Sequence, residues 1–168
     1  MRLQGNKRKF YTVTEGVKAA AKYCAYQERC QSEVRNFLQG RELSSEEVEE
    51  VIAELISDNF INEQRFAHAF TSGKFNIKKW GRIKIRAGLK AKGVYETCIT
   101  EALNSIDENE YFNTLTQIAQ KKAADKYGGL PLKTESKNKL FQYLLSRGFE
   151  SELISETLHK IEQSTKND

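Results

Sequence analysis

The sequence has little of what β-rich, membrane-spanning and secreted proteins require. It contains one proline and ten glycines in 168 residues, too few turn-forming residues for an all-β fold. No run approaches the roughly 18–20 apolar residues of a membrane span, and the first residues lack the apolar centre of a secretory signal. We therefore expect a helical cytoplasmic protein that does not enter a membrane.

Cysteine and histidine are also scarce. Cys24, Cys30 and Cys98 are an odd number without a CxxC pair, and only His68 and His159 could join them at a metal. They cannot form a zinc site at ordinary ligand spacing. Cys24 falls on an apolar helical row, which predicts a buried thiol. His68 has no acid or nucleophile partner in the pattern around it, so a surface or half-buried side chain is expected.

The motifs of nucleotide-binding and hydrolytic enzymes are missing. There is no GxxxxGK[ST] loop and no GxGxxG, HExxH or GxSxG pattern, each of which carries a specific phosphate, metal or acyl chemistry. We predict no catalytic residue, no metal ligand and no cofactor. The function is expected to depend on binding surfaces.

Acids are absent from one central segment, residues 73–93, GKFNIKKWGRIKIRAGLKAKG. The whole chain has a formal net charge of +4, and the eight cations of this segment exceed it, so the remainder is net negative. A basic segment on a folded element indicates a polyanion or an acidic protein surface as partner. The predicted binding residues are Lys74, Lys78, Lys79, Arg82, Lys84, Arg86, Lys90 and Lys92.

Half of these cations are predicted to form one row on a helix. The row lies beside the apolar face of Ile85 and Leu89 and consists of Lys79, Arg82, Arg86 and Lys90. Like charges at this spacing repel by roughly 0.2–0.5 kcal/mol per neighbouring pair, which favours an anionic partner over a merely solubilising face. Trp80 is interpreted either as a core anchor or as an exposed ring that stacks on unpaired bases.

An apolar pattern occurs three times at one spacing. Six positions, separated by 4, 5, 5, 4 and 3 residues, recur without a gap, and successive copies are offset by 51 and 55 residues. The copies are Val34, Leu38, Leu43, Val48, Ile52, Leu55; Ile85, Leu89, Val94, Ile99, Leu103, Ile106; and Leu140, Leu144, Phe149, Ile154, Leu158, Ile161. This is an internal repeat, and its spacing predicts a helix, a break and a second helix.

The break differs between the copies. Gly93 and Gly148 stand where the end of a helix favours a left-handed residue. The first copy has Glu42 there and Gly40 just before it, so its helix is expected to stop sooner. A capping box that begins at Ser44 then starts the next helix.

Another amphipathic segment precedes each copy, at about residues 15–28, 62–76 and 108–127, with Asn62 as a predicted N-cap. The sequence therefore predicts an all-α fold, an elongated, curved array of three tandem three-helix repeats. The predicted division is a basic flexible arm at 1–13, a first repeat at 14–60, a second, basic repeat at 61–107 and a third repeat at 108–163.

The first repeat carries the opposite charge. Residues 42–58 contain seven acids and no cation. Glu46, Glu47, Glu50 and Glu54 are interpreted as a solvated face or, alternatively, as an acidic face that docks on a basic partner. In the third repeat, the glycine- and proline-containing loop at 127–133 is interpreted as a hinge between the second and third helices of its neighbourhood.

The chain resembles the RecX family over about residues 15–162. The matching positions are Tyr23, Arg29, Ser32, Glu33, Val34, Leu38, Ile52, Leu55, Phe60, the segment 62–67, Gly81, Arg82, Ile85, Leu89, Gly93, Val94 and the segment 143–149. Three positions depart from the family pattern: Asn62 replaces a usual aspartate, Cys30 a usual polar residue and Glu42 a usual glycine.

The resemblance implies a non-enzymatic regulator of DNA repair, recombination and the SOS response. RecX-like proteins bind the RecA recombinase or its filament on single-stranded DNA and inhibit it, and they bind single- or double-stranded DNA more weakly. A monomer is expected. Two alternatives remain: a helical-repeat DNA-binding protein that uses the basic second repeat, and a structural adaptor that uses the acidic face alone.

Overall fold

The computed structural model describes residues 11–164. Within this range the chain forms nine α-helices and no strand. The helices are α1 Val13–Tyr26, α2 Gln31–Gln39, α3 Ser45–Ser57, α4 Glu63–Asn76, α5 Arg82–Ala91, α6 Glu96–Asn104, α7 Glu108–Tyr127, α8 Thr134–Ser146 and α9 Ser151–Ser164. Every pair of helices in extensive contact belongs to one of the triplets α1–α3, α4–α6 and α7–α9. The all-α array of three-helix repeats is thus confirmed.

The repeated apolar pattern forms the core of each repeat. All eighteen of its positions are buried, none more than 9% exposed. The first and third helices of a repeat lie against each other, and the second packs on both. Burial of these side chains supplies most of the stabilisation, at about 25 cal/mol per Å² of apolar surface.

The helix ends follow the predicted capping chemistry. The Ser44 side chain accepts from the Glu47 amide at 3.2 Å, and the Glu47 carboxylate accepts from the Ser44 amide at 2.8 Å. The Asn62 side chain accepts from the Arg65 amide at 2.9 Å. Each satisfies amides that the first turn of a helix leaves without a partner.

The predicted breaks are also confirmed. Gly93 and Gly148 have φ angles of 75° and 88°, and Glu42 takes the same left-handed region at 61°. Since glycine reaches that region without a clash and glutamate does not, the first repeat makes this turn at a higher conformational cost. Helix α2 ends at Gln39, one residue earlier than its counterpart α5, as expected.

The apolar interior is divided unequally among the repeats. One cluster of buried side chains is formed by the first repeat together with Ile61, just before α4. A second runs without interruption through the second and third repeats and also takes in Cys30, at the start of α2. Tyr111 lies at the centre of the shared core, with its ring 5.7 Å from that of Phe75 and 5.3 Å from that of Phe149.

Two sequence interpretations are wrong. The loop at 127–133 joins α7 to α8, the first and second helices of the third repeat, because α7 extends through most of the segment before it. The basic row does not run along one helix: Lys79 lies in the α4–α5 connection, with a φ of 54°, and α5 begins only at Arg82. Residues 1–10 of the predicted basic arm lie outside the described residues, and α1 begins at Val13.

Candidate partner-binding surfaces

Acids from other helices neutralise half of the predicted basic residues. Arg82 donates to Glu108 at 2.8 Å, and Lys92 donates to Glu33 of the first repeat at 2.6 Å. Arg86 and Lys90 both pair with the same carboxylate, Glu96. The segment has no acid of its own, but folding brings three acids to it.

The other four cations, Lys74, Lys78, Lys79 and Lys84, form no ion pair with a described residue. Lys78 and Lys79 are exposed at the end of α4. Lys84 donates to the Ser146 carbonyl of the third repeat at 3.0 Å. The fold thus divides the predicted binding set into four paired and four unpaired cations. Of the unpaired ones, Lys74 and Lys78 line a groove shared with the first repeat, and Lys79 and Lys84 lie beside the third.

Trp80 has features of a core anchor and features of an exposed ring, the two interpretations of this side chain. It is half-buried against the core shared by the second and third repeats. The ammonium groups of Lys74 and Lys84 lie 4.9 and 5.0 Å from its ring centroid, within the range of a cation–π contact. The ring is therefore anchored on one side and flanked by cations.

The acidic residues of α3 have few partners. Glu46, Glu50 and Glu54 are exposed and form no ion pair with a described residue, whereas Glu47 is used in the capping box. The neighbouring Glu49 pairs with Arg35 at 2.6 Å, which holds the pKa of that carboxyl below its usual range. The predicted acidic face therefore exists as an exposed surface on the first repeat.

A second basic surface, which the sequence reasoning missed, lies where the third repeat meets the second. An open groove of about 320 Å³ is lined by Lys79, Ile118, Lys121, Lys122, Asp125, Lys126, Tyr143 and Arg147. We call it the junction groove. The Lys121-Lys122 pair was visible in the sequence, but only the packing of α7 and α8 against the α4–α5 connection places it beside Lys79.

The remaining candidates have simpler roles. His68 is half-buried and bonded to Gln64 at 2.9 Å, as predicted. Burial raises the pKa of the Cys24 thiol, as expected for an inert side chain. Within residues 11–164 no group of three or more potential ligands could hold a metal ion, and no helix in this range is long and apolar enough to cross a membrane.

Three family models match the chain in succession. They are described as the first, second and third three-helix domains of RecX, and they match residues 18–55, 62–103 and 108–158. The matched ranges coincide with the three helix triplets.

Several curated proteins that are similar to this chain have the same name. A protein named Regulatory protein RecX from Chlorobaculum tepidum is 32% identical over 140 residues, which span 82% of this chain and 83% of the relative. Proteins of that name from Lactococcus lactis and Bacillus mycoides are 31% and 30% identical and cover 90% and 84% of this chain. The chain spans only about half the length of these last two, 56% and 52%.

A solved structure shows the same fold. The crystal structure of RecX from Lactobacillus salivarius superposes with a TM-score of 0.79 at 24% identity, covering 90% of this chain and 97% of that one. At this identity the likeness concerns the fold alone.

Proposed function

Because this chain belongs to the RecX family, we propose that it is a non-enzymatic regulator of the RecA recombinase. It binds RecA, or the RecA filament on single-stranded DNA, and inhibits its recombination and ATPase activities. The cell would use it in the cytoplasm to regulate DNA repair. The observation that carries the proposal is the succession of three RecX domain matches, one on each helix triplet.

The surfaces support a binding role for an extended partner. The repeats are joined in series, and oppositely charged faces lie on different repeats: the exposed acids of α3 on the first, and the unpaired cations on the second. A partner that presents both charges along its length would be held in one orientation, because complementary charge fixes register more than it adds affinity.

The test is the ATPase and strand-exchange activity of RecA on single-stranded DNA, measured as the chain is added. We expect both activities to fall and to reach a plateau at saturation. Pull-down of RecA with and without single-stranded DNA then shows which form is bound. If both RecA activities are unchanged at a saturating concentration of this protein, the proposal is wrong.

A plain DNA-binding protein is the second candidate, favoured by the unpaired cations around Trp80. Four phosphate contacts predict that the logarithm of the DNA-binding constant falls with the logarithm of the salt concentration with a slope of about −3 to −4, on duplex or single strand. Reversal of Lys74 and Lys78, two of these unpaired cations, to glutamate should abolish DNA binding if DNA is the only partner, but should only weaken inhibition if contacts with RecA dominate. Reversal of Lys18 and Lys22, exposed on α1, is the matched control. If the protein is an adaptor that uses only the acidic face, neither charge reversal should change its binding to its partner.

A further inference from the structure

We propose that the junction groove between the second and third repeats binds a single nucleic-acid strand, with phosphates on its cations and an unpaired base on the ring of Tyr143. The inference rests on the proposed function, because that function brings the chain to a filament of RecA on single-stranded DNA. The strand would bind to a surface that the packing of two repeats forms. This surface is distinct from the paired cations of α5.

The groove has a concentrated positive charge that the protein itself leaves uncompensated. Lys79, Lys121 and Lys126 are exposed and form no ion pair with a described residue. The one acid in the lining, Asp125, faces five cations. A polyanion that binds such a surface releases the counterions condensed on its phosphates, which favours binding.

One cation is held in a fixed position at the base of the groove. Nη2 of Arg147 donates to the carbonyl oxygens of Lys78 and Lys79 and so ties the third repeat to the α4–α5 connection. The guanidinium is thus oriented before a ligand arrives, and its charge faces the groove at a fixed position.

The C-terminus of α8 beside the groove does not oppose an anion. It would place partial negative charge there, but it meets the N-terminus of α5. The amides of Gly81 and Ile83 donate to the carbonyls of Arg147 and Gly148 at 2.9 and 3.0 Å. Lys84 donates to the Ser146 carbonyl. The negative end of α8 is therefore compensated by the positive end of α5.

One half-buried aromatic ring lies among the cations. Tyr143 forms part of the groove wall, with Nζ of Lys122 4.4 Å from its centroid. Cations interleaved with aromatic platforms are the chemistry of single-strand binding, since every base offers a face for stacking.

The ring of Tyr143 favours a nucleic-acid strand over the other occupants. An acidic peptide would form the same ion pairs but has no bases to stack. A duplex has its base faces already stacked, so the ring adds nothing to its binding. A preference for single strands over duplex is therefore the signature of this site.

The experiment compares two charge reversals of equal size by fluorescence anisotropy, with a labelled oligothymidine strand and a labelled duplex and without RecA. Lys121→Glu with Lys126→Glu changes the groove, and Lys18→Glu with Lys22→Glu changes exposed lysines of α1. We expect the groove variant to weaken strand binding by roughly tenfold at low salt and to reduce the salt slope by about 1.4, the contribution of two single-strand phosphate contacts. The α1 variant should bind like the parent.

A second pair of variants tests the ring. Tyr143→Leu should reduce the preference for the strand over the duplex, and Tyr143→Phe, which keeps the ring, should retain it. Thermal unfolding of each variant checks that it is folded. If the leucine variant does not fold, the charge reversals still decide the matter.

Three results would overturn the site. The first is an equal loss of strand affinity in the two charge-reversal variants. The second is an unchanged ratio of strand affinity to duplex affinity in a folded Tyr143→Leu protein. The third is binding of poly-glutamate that is as tight as binding of the strand and is lost in the groove charge-reversal variant. The last would make an acidic protein segment the occupant. A failure to inhibit RecA with strand binding intact would reject only the proposed function.

Discussion

The two junctions of the array are built in different ways. Between the second and third repeats, backbone meets backbone: Gly81 and Ile83 donate to carbonyls of the third repeat. The buried Tyr111 hydroxyl accepts from the Arg82 amide at 2.9 Å and donates to Glu150 at 2.7 Å. Between the first and second repeats, side chains make the contacts. Arg65 pairs with Glu28 and Lys92 with Glu33, the Ser32 hydroxyl donates to the Lys92 carbonyl at 2.7 Å, and Cys30 packs into the second core.

This difference shows that repeats with the same fold need not pack on one another in the same way. Backbone contact requires two segments of the chain to approach closely, which fixes the angle between the repeats and lets their cores merge. Half-exposed ion pairs between flexible side chains are worth little individually and tolerate changes in that angle. We therefore expect the second and third repeats to unfold as one unit, and the first repeat to have a stability of its own.

Gly81→Ala should have the largest effect, because it breaks the backbone joint. A Cβ at this position would overlap the carbonyl group of Gly148, although its φ of −77° suits alanine. Overpacking together with the strain on two hydrogen bonds predicts a loss of about 2–5 kcal/mol in the free energy of unfolding. Urea unfolding measures it.

Gly40→Ala is the matched control, since no atom lies within 4 Å of the point that a Cβ would occupy there and its φ is −75°. It should change the unfolding free energy by no more than about 0.5 kcal/mol. Equal losses in the two variants would mean that the close approach at the second junction is not what stabilises it.

Lys92→Met should have an intermediate effect at the polar joint. It removes the ion pair with Glu33, whose side chain is only 22% exposed, and should cost about 1 kcal/mol at low salt. The loss should shrink at high salt, because screening weakens the pair in the parent. Lys90→Met is the control, since its partner Glu96 is exposed and keeps Arg86. A loss independent of salt would show that packing, and not charge, holds this junction.

Glu63→Gln should have the smallest effect, and its sign depends on pH. Burial raises the pKa of Glu63, against a smaller lowering by the Gln31 amide. The folded state therefore favours the protonated carboxyl, and the corresponding stability is lost as the pH rises through the folded pKa. The glutamine variant cannot ionise, so it should gain stability relative to the parent as the pH rises from acid to neutral.

Urea unfolding across that pH range provides the measurement. Glu152→Gln removes an exposed first-turn acid of α9 and should show no such trend. A Glu63→Gln protein that loses stability relative to the parent at neutral pH would contradict the prediction.

Most of the fold could be predicted, and less of the binding surface. Positions such as Leu38, Ile85 and Phe149 were placed in the core correctly, because helical spacing alone decides which side of a helix meets its neighbour. The predicted basic row was wrong at Lys79, because the pattern carries no sign of the turn before Arg82. Neutralisation of Arg82 could not be foreseen, since its partner Glu108 belongs to the next repeat.

The sequence by itself determined the repeats, the helix ends and the concentration of charge, because these follow from local spacing and capping chemistry. Tertiary structure alone decided which cations remain unpaired and where two repeats join to form a groove. Ion pairs and grooves depend on distances between residues on different helices, and only the packing of the helices within and between the repeats sets these distances. The basic segment at 73–93 therefore has two parts, one that meets acids of the protein itself and one whose cations form no ion pair with a described residue.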